Sequence, residues 1–260
     1  MKILIITNHS YMLYRFRREL IEALHKDHDV VLSMPFVGHE EDFSAMGLRC
    51  IKTDVDRRGI NPKTDLKLLR TYWAMLRRER PDLVITYSIK PNIYAGLACR
   101  RLKISYCANV QGLGTAFQRN GLAQFVTLLC KTALKKARVV FFENEGNAQE
   151  FIDRKILSRN KITVLPGAGI NLEQFPLMLY PENDCVRFLY LGRIMKEKGI
   201  DELFTAMRRL YSELGNKVQL DLVGFFDDDY EADDYSALPE PGVRCVRATI
   251  PVDQSQCSGQ

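Results

Sequence analysis

At 260 residues, 46% apolar and 27% charged, the chain has enough apolar content for one large domain or two small ones. Its net charge of +5 is uneven: residues 1–226 hold 35 Lys and Arg against 24 Asp and Glu, and residues 227–260 hold 2 against 8. A basic body suits phosphate-bearing ligands or an anionic membrane face, and no aromatic-basic motif for nucleic acid accompanies it. The seven cysteines form no C-x-x-C pair or His/Cys cluster, which argues for small core residues in a reducing cytosol and against a structural metal. The apolar start at residues 1–7 is too short for a signal peptide, and no run of about 18 apolar residues marks a membrane span.

Residues 2–7 form an unbroken apolar run, as expected of a strand covered on both faces. Residues 12–25 follow with Leu13, Phe16, Leu20, Ile21 and Leu24 at helical spacing. Strands are predicted at 30–34 and 49–53, and Asn61-Pro62 opens a helix over 62–79, with proline where its missing N–H does no harm. A buried strand at 83–87, a helix at 91–102 and a strand at 104–110 come next. A helix at 121–136, a strand at 139–142, a short helix at 146–156 and a strand at 162–165 complete the series. Strands alternating with helices imply an α/β fold with a doubly wound parallel sheet over residues 1–166.

In such sheets the ligand crevice lies beyond the carboxyl ends of the strands. Asn8, His9 and Ser10 fall there, as do Ser88, Lys90 and Asn92, and Gln111, Gly112 and Gly114. No G-x-G-x-x-G follows the first strand, which weakens a dinucleotide reading. Glu143 and Glu145 flank Asn144 at a strand end, as helix-start carboxylates or as ligands. Arg15, Arg17 and Arg18 stand near the first helix start, where cations oppose the dipole and call for an anionic partner. The helix at 121–136 carries Phe125 and Leu128 with Lys131, Lys135 and Lys136, and either lies on an anionic surface or packs on the sheet with a solvated end.

Pro166-Gly167-Ala168-Gly169-Ile170-Asn171 looks like a hinge, so residues 167–185 are expected to form a linker. A second series follows over 186–226: a strand at 186–191, a helix at 198–214 and a strand at 217–224. One such βαβ unit cannot cover both faces of its sheet, and the acidic segment 227–260 is expected to be irregular.

The string from Phe188 through Gly192, Arg193, Lys198 and Gly199 to Asp201 builds an anion site. A strand fixes its position, glycines admit a ligand to the backbone, and a helix start presents free N–H groups. Arg193 and Lys198 add two charges suited to a diphosphate. The order matches the signature G-R-x-x-x-E-K-G, and the chain resembles the retaining glycosyltransferases of family 4, which have the two-domain GT-B fold. Lys90-Pro91-Asn92-Ile93 and Asn109-Val110-Gln111-Gly112-Leu113-Gly114 are similar to acceptor-domain loops of the branch acting on lipid-linked oligosaccharides.

The resemblance implies a complete acceptor-side Rossmann-like domain, a partial donor domain, and transfer of a sugar from a UDP-sugar to a polyprenyl-diphosphate-linked saccharide. By that resemblance Arg193 and Lys198 serve catalysis at the leaving diphosphate, and Gly192, Gly112, Gly114 and Gln111 serve the donor. Asn8, His9, Lys90 and Asn92 serve the acceptor. No metal or other cofactor is implied, and the protein is expected at the cytosolic face of the plasma membrane as a peripheral protein. The family's Glu-x₇-Glu pair is missing, since Glu231 and Glu240 are nine apart, so a truncated donor domain with impaired activity is expected. Gln111 stands where many relatives carry a histidine. A nucleotide-sugar epimerase of the same fold and a non-catalytic acceptor-binding fragment are the alternatives.

Overall fold

The computed structural model describes residues 1–56, 61–113, 122–180, 184–192, 194–224 and 243–247. The chain divides into two compact units, Met1–Asn171 and Leu172–Gln260.

In the first unit the elements are β1 (Lys2–Ile6), α1 (Ser10–His25), β2 (Asp29–Met34), α2 (Glu40–Ala45), β3 (Arg49–Lys52) and α3 (Pro62–Glu79). They continue with β4 (Leu83–Tyr87), α4 (Ile89–Leu102), β5 (Ser105–Val110), α5 (Leu122–Leu134), β6 (Val140–Phe142), α6 (Glu145–Asp153) and β7 (Ile162–Val164). The seven strands form one sheet in the order β3-β2-β1-β4-β5-β6-β7, and every neighbouring pair is parallel. The strand order reverses between β1 and β4, which creates a switch point there.

The period-2 geometry of β1 sends Leu4 and Ile6 to one face and Ile3 and Ile5 to the other. The first face is buried with Tyr72 and Leu76 of α3, Ala95 and Cys99 of α4, Val126 and Cys130 of α5, and Phe151 of α6. The second is buried with Leu13 and Ile21 of α1 and Phe43 of α2. Burial pushes the Cys99 and Cys130 thiols up to about 12, so both stay protonated and pack as small apolar groups. Asn61 caps α3 as its sequence implies, its side chain accepting from the Lys63 amide at 3.0 Å.

The second unit contains β8 (Val186–Leu191), α7 (Ile200–Leu214), β9 (Val218–Gly224) and β10 (Val243–Arg247), in a parallel sheet ordered β10-β9-β8. Strand β10 corrects the expectation of an irregular 227–260. Val243 registers with Leu220, and the run Val243-Arg244-Cys245-Val246-Arg247 is a short β-prone segment with its apolar residues interrupted by arginines. The helix predicted from 198 starts at Ile200, after a 3₁₀ turn at Lys196–Lys198.

At the opposite, amino end of the first sheet, Glu79 is nearly buried and receives Lys2 at 2.9 Å, Arg78 at 3.1 Å and both guanidinium nitrogens of Arg49. Hydrogen bonding from Arg49, with help from Lys2 and Arg78, pulls its carboxyl down to about 2. A depressed acid stabilises the fold above its unfolded value and loses that contribution as pH falls through the folded one. Because Arg49 and Arg78 are solvated, about 2 kcal/mol is the appropriate scale. Urea titrations should show Glu79→Gln less stable than the unsubstituted chain by about that amount at pH 6, with the gap closing between pH 4.5 and 2.

Candidate functional site

The carboxyl edge of the first sheet is tied together by side chains. Ser88 Oγ donates to Asn8 Oδ1 at 2.7 Å, which joins the loop after β1 to the head of α4 across the switch point. Ser88 has φ 75° and ψ 159°, a region that only glycine occupies at ease. Behind it lies a closed knot. Thr86 Oγ1 donates to Asn92 Oδ1 at 2.6 Å, Asn92 Nδ2 donates to the Asn109 carbonyl at 2.8 Å, and Asn109 Nδ2 donates to the Thr86 carbonyl at 3.2 Å.

The expected acceptor residues therefore differ in availability. Asn8 and half-buried His9, the N-cap of α1, lie at the crevice. Asn92 is buried, with both ends of its amide used by the knot. Lys90 is neither a free cation nor a solvated one: its ammonium pairs with Asp65 of α3 at 2.8 Å, with both side chains mostly covered. Gln111 is exposed after β5, and the Cβ position of Gly112 faces open space. Gly114 lies outside the described residues.

Arg17 is the residue that sequence reasoning placed least well. Helix α1 begins at Ser10, so Arg15, Arg17 and Arg18 stand beyond its first turn, where the dipole has faded. Arg17 is only 8% exposed. It ion-pairs with Glu143 past β6, donates to the Phe16 carbonyl at 3.0 Å and to the Ala168 carbonyl at 3.2 Å, and lies over the Tyr87 ring at 5.4 Å. The anionic partner that the arginines called for is, for Arg17, a carboxylate of the same chain. The signal was present, since Arg17 is four residues from both Leu13 and Ile21 and so falls on the buried stripe of α1. Burial pushes the Tyr87 phenol up, with Arg17 opposing, so Tyr87 remains neutral beneath the guanidinium. Asn144 caps α6 by accepting from the Asn147 amide at 2.8 Å, and Glu145 pairs with Arg159 at 2.8 Å.

In the second unit Gly192 ends β8, its amide donating to the Val223 carbonyl at 3.0 Å. An added Cβ on Gly224, at the end of β9, would stand 1.8 Å from the Gly192 carbonyl oxygen. These two strand ends thus meet as bare backbone, a close approach that requires glycine at 224 and that sequence reasoning passed over. Arg193 lies outside the described residues. Lys198 is exposed at the end of the 3₁₀ turn, and Gly199 takes φ 72° as the N-cap of α7. Asp201 and Glu202 occupy the first turn of α7, where their negative charge already offsets part of the helix dipole, so a bound anion there depends on the neighbouring cations. Among the described residues no group of three or more His, Cys, Asp or Glu side chains has metal-binding geometry, and no helix is long and apolar enough to cross a membrane.

The profile of the family described as Glycosyl transferase 4-like domain matches residues 15–168. A Campylobacter jejuni protein named N,N'-diacetylbacillosaminyl-diphospho-undecaprenol alpha-1,3-N-acetylgalactosaminyltransferase is 28% identical over 249 residues, 88% of this chain and 65% of that protein. The Staphylococcus aureus capsular polysaccharide biosynthesis glycosyltransferase CapM is 28% identical over 198 residues, 70% of this chain and 51% of that protein. The chain thus spans between half and two thirds of the length of these relatives. Among solved structures, Anabaena Alr3699/HepE in complex with UDP superposes with a TM-score of 0.68 at 13% identity, covering 95% of this chain and 69% of that one. S. aureus MnaA with UDP superposes at 0.62 and 14% identity, covering 95% and 68%. These likenesses give the fold as GT-B-like.

Strain at Ser88 has a measurable signature. Ser88→Gly removes both the strain and the Asn8 bond, whereas Ser88→Ala removes only the bond. Thermal unfolding should show the alanine variant about 1–3 kcal/mol less stable than the glycine variant. Equal stability would mean that Ser88 sits in its conformation without strain.

Proposed function

This chain belongs to the glycosyl transferase 4-like family, and we propose that it moves a sugar from a UDP-linked donor to a polyprenyl-diphosphate-linked saccharide, with retention at the anomeric carbon. The observation that carries the reading is the family match over residues 15–168, joined to two sequence relatives that are both named as glycosyltransferases. One of those names specifies a diphospho-undecaprenol acceptor. Both relatives favour transfer over the epimerase alternative.

The hard step in such a transfer is departure of an anionic nucleoside diphosphate from an oxocarbenium-like carbon. Cations already in position lower that barrier, because they need no reorganisation as charge develops. What supports this role in the second unit is the glycine end of β8 at Gly192, with Arg193 next to it in sequence and exposed Lys198 six residues on. Arg193 takes the diphosphate through its planar fork and Lys198 as a point charge, and in this reading they replace a metal as counter-charge. In the first unit, the polar crevice around Asn8, Ser88 and His9 suits the hydroxyls of a saccharide acceptor.

UDP release from UDP-sugars, with and without a polyprenyl-diphosphate saccharide, tests the reading. Acceptor-dependent release is expected, weak in a chain that spans half to two thirds of its relatives, and Arg193→Ala with Lys198→Ala should lower it by about 100-fold or more. Free epimer formed without acceptor, or an undiminished rate in the double variant, overturns it.

A lipid-linked acceptor also implies work at a membrane surface. Helix α5 packs on the sheet through Val126, Cys130 and Ala133, yet leaves Phe125 55% and Leu128 62% exposed. Lys131 and Lys135 follow at spacings of three and four on the same side, with Lys136 beside them, all exposed. Apolar side chains flanked by lysines suit an anionic bilayer surface, to which each lysine contributes about 1 kcal/mol. Exchanging Lys131, Lys135 and Lys136 for Glu should release the protein from vesicles containing phosphatidylglycerol, as read by sedimentation. Unchanged binding would exclude α5 as the contact.

A further inference from the structure

One buried charged group of the first unit has no part in the chemistry above. The Arg17 guanidinium is bound by four partners from four places in the chain: the Phe16 carbonyl in α1, the Tyr87 ring at the end of β4, Glu143 after β6, and the Ala168 carbonyl after β7. The last contact lies in Pro166-Gly167-Ala168-Gly169-Ile170-Asn171, the segment by which the chain leaves this unit. Gly167 and Gly169 have φ 85° and 84°, so Ala168 sits between two left-handed glycines, where the backbone has least intrinsic stiffness. Two residues beyond Arg17, Glu19 accepts from Asn171 Nδ2 at 3.3 Å. One helix of the first unit therefore holds this segment at two points three residues apart.

We propose that Arg17, oriented by Glu143 and Tyr87, is a positioning residue that fixes the path by which the chain leaves the first unit. A glycine-rich exit without such a restraint samples many directions. The fork of Arg17 is suited to the task because it is rigid, planar and permanently charged. Ring and carboxylate fix its plane, and Nη1 then donates to the Phe16 carbonyl of its own helix and to the Ala168 carbonyl of the exit. Lysine offers no such plane, so the charge alone does not perform the function.

Nitrogen-15 relaxation of the 260-residue chain reads the restraint directly, without turnover. Order parameters for residues 167–171 should be near 0.85 in the unsubstituted chain. They should fall below about 0.6 in Arg17→Met and fall in part in Arg17→Lys and Glu143→Gln. Values unchanged in whichever of these variants fold overturn the proposal.

Discussion

The parallel alignment of the seven-stranded sheet is the constraint from which the rest follows. With every neighbouring pair parallel, all strands end, and the following helices begin, at one edge. The central strands β1, β2 and β4 to β6 are largely covered on both faces, so the polar chemistry collects where they stop. Short polar side chains finish that edge: Ser10 accepts from the Val37 amide at 3.0 Å, Ser33 and Thr53 meet at 2.9 Å, and Asn8 meets Ser88. The buried triangle of Thr86, Asn92 and Asn109 lies beneath them. Such over-determination is what allows a serine to persist in a glycine conformation at the head of α4.

The regular elements were legible because their causes are local. Continuous apolar runs gave β1, β2, β4 and β5, and Asn61-Pro62 marked the start of α3 within a residue. Helix α2 was not legible: six residues, three of them acidic in the first turn and one buried phenylalanine, are too few to display a period. Strand β10 was hidden inside an acidic stretch whose composition outweighed five β-prone residues. The site was read less well than the fold, for a physical reason. A polar residue at the head of a helix looks the same whether it awaits a ligand or completes the core. Lys90 and Asn92 carry side chains fit for binding, but partners 25 and 17 residues away in sequence already engage them.

Arg17 shows the converse, a charge that looked like a surface group and is internal. Burying an arginine with a glutamate contributes little net stability, since desolvation offsets most of the attraction, and apolar side chains of similar volume often do as well. What an apolar replacement lacks is direction. It would fill the space under α1 equally well with the segment after β7 in many positions, whereas a guanidinium hydrogen-bonded to a carbonyl allows one. An ion pair at this place is therefore better understood as specifying geometry than as strengthening the fold.

The two units also differ in what their carboxyl edges offer a ligand. The first presents amide and hydroxyl side chains around a half-buried histidine, groups that both donate and accept and so match sugar hydroxyls. The second presents backbone, since the approach of Gly192 to Gly224 leaves no space for side chains, with a lysine close by in sequence. An edge clear of side chains with a cation near it in sequence suits a compact anion better than it discriminates among neutral hydroxyls. Asp201 and Glu202 sharpen that difference: by offsetting the dipole of α7, they leave attraction for an anion at this edge to side-chain cations rather than to the helix end.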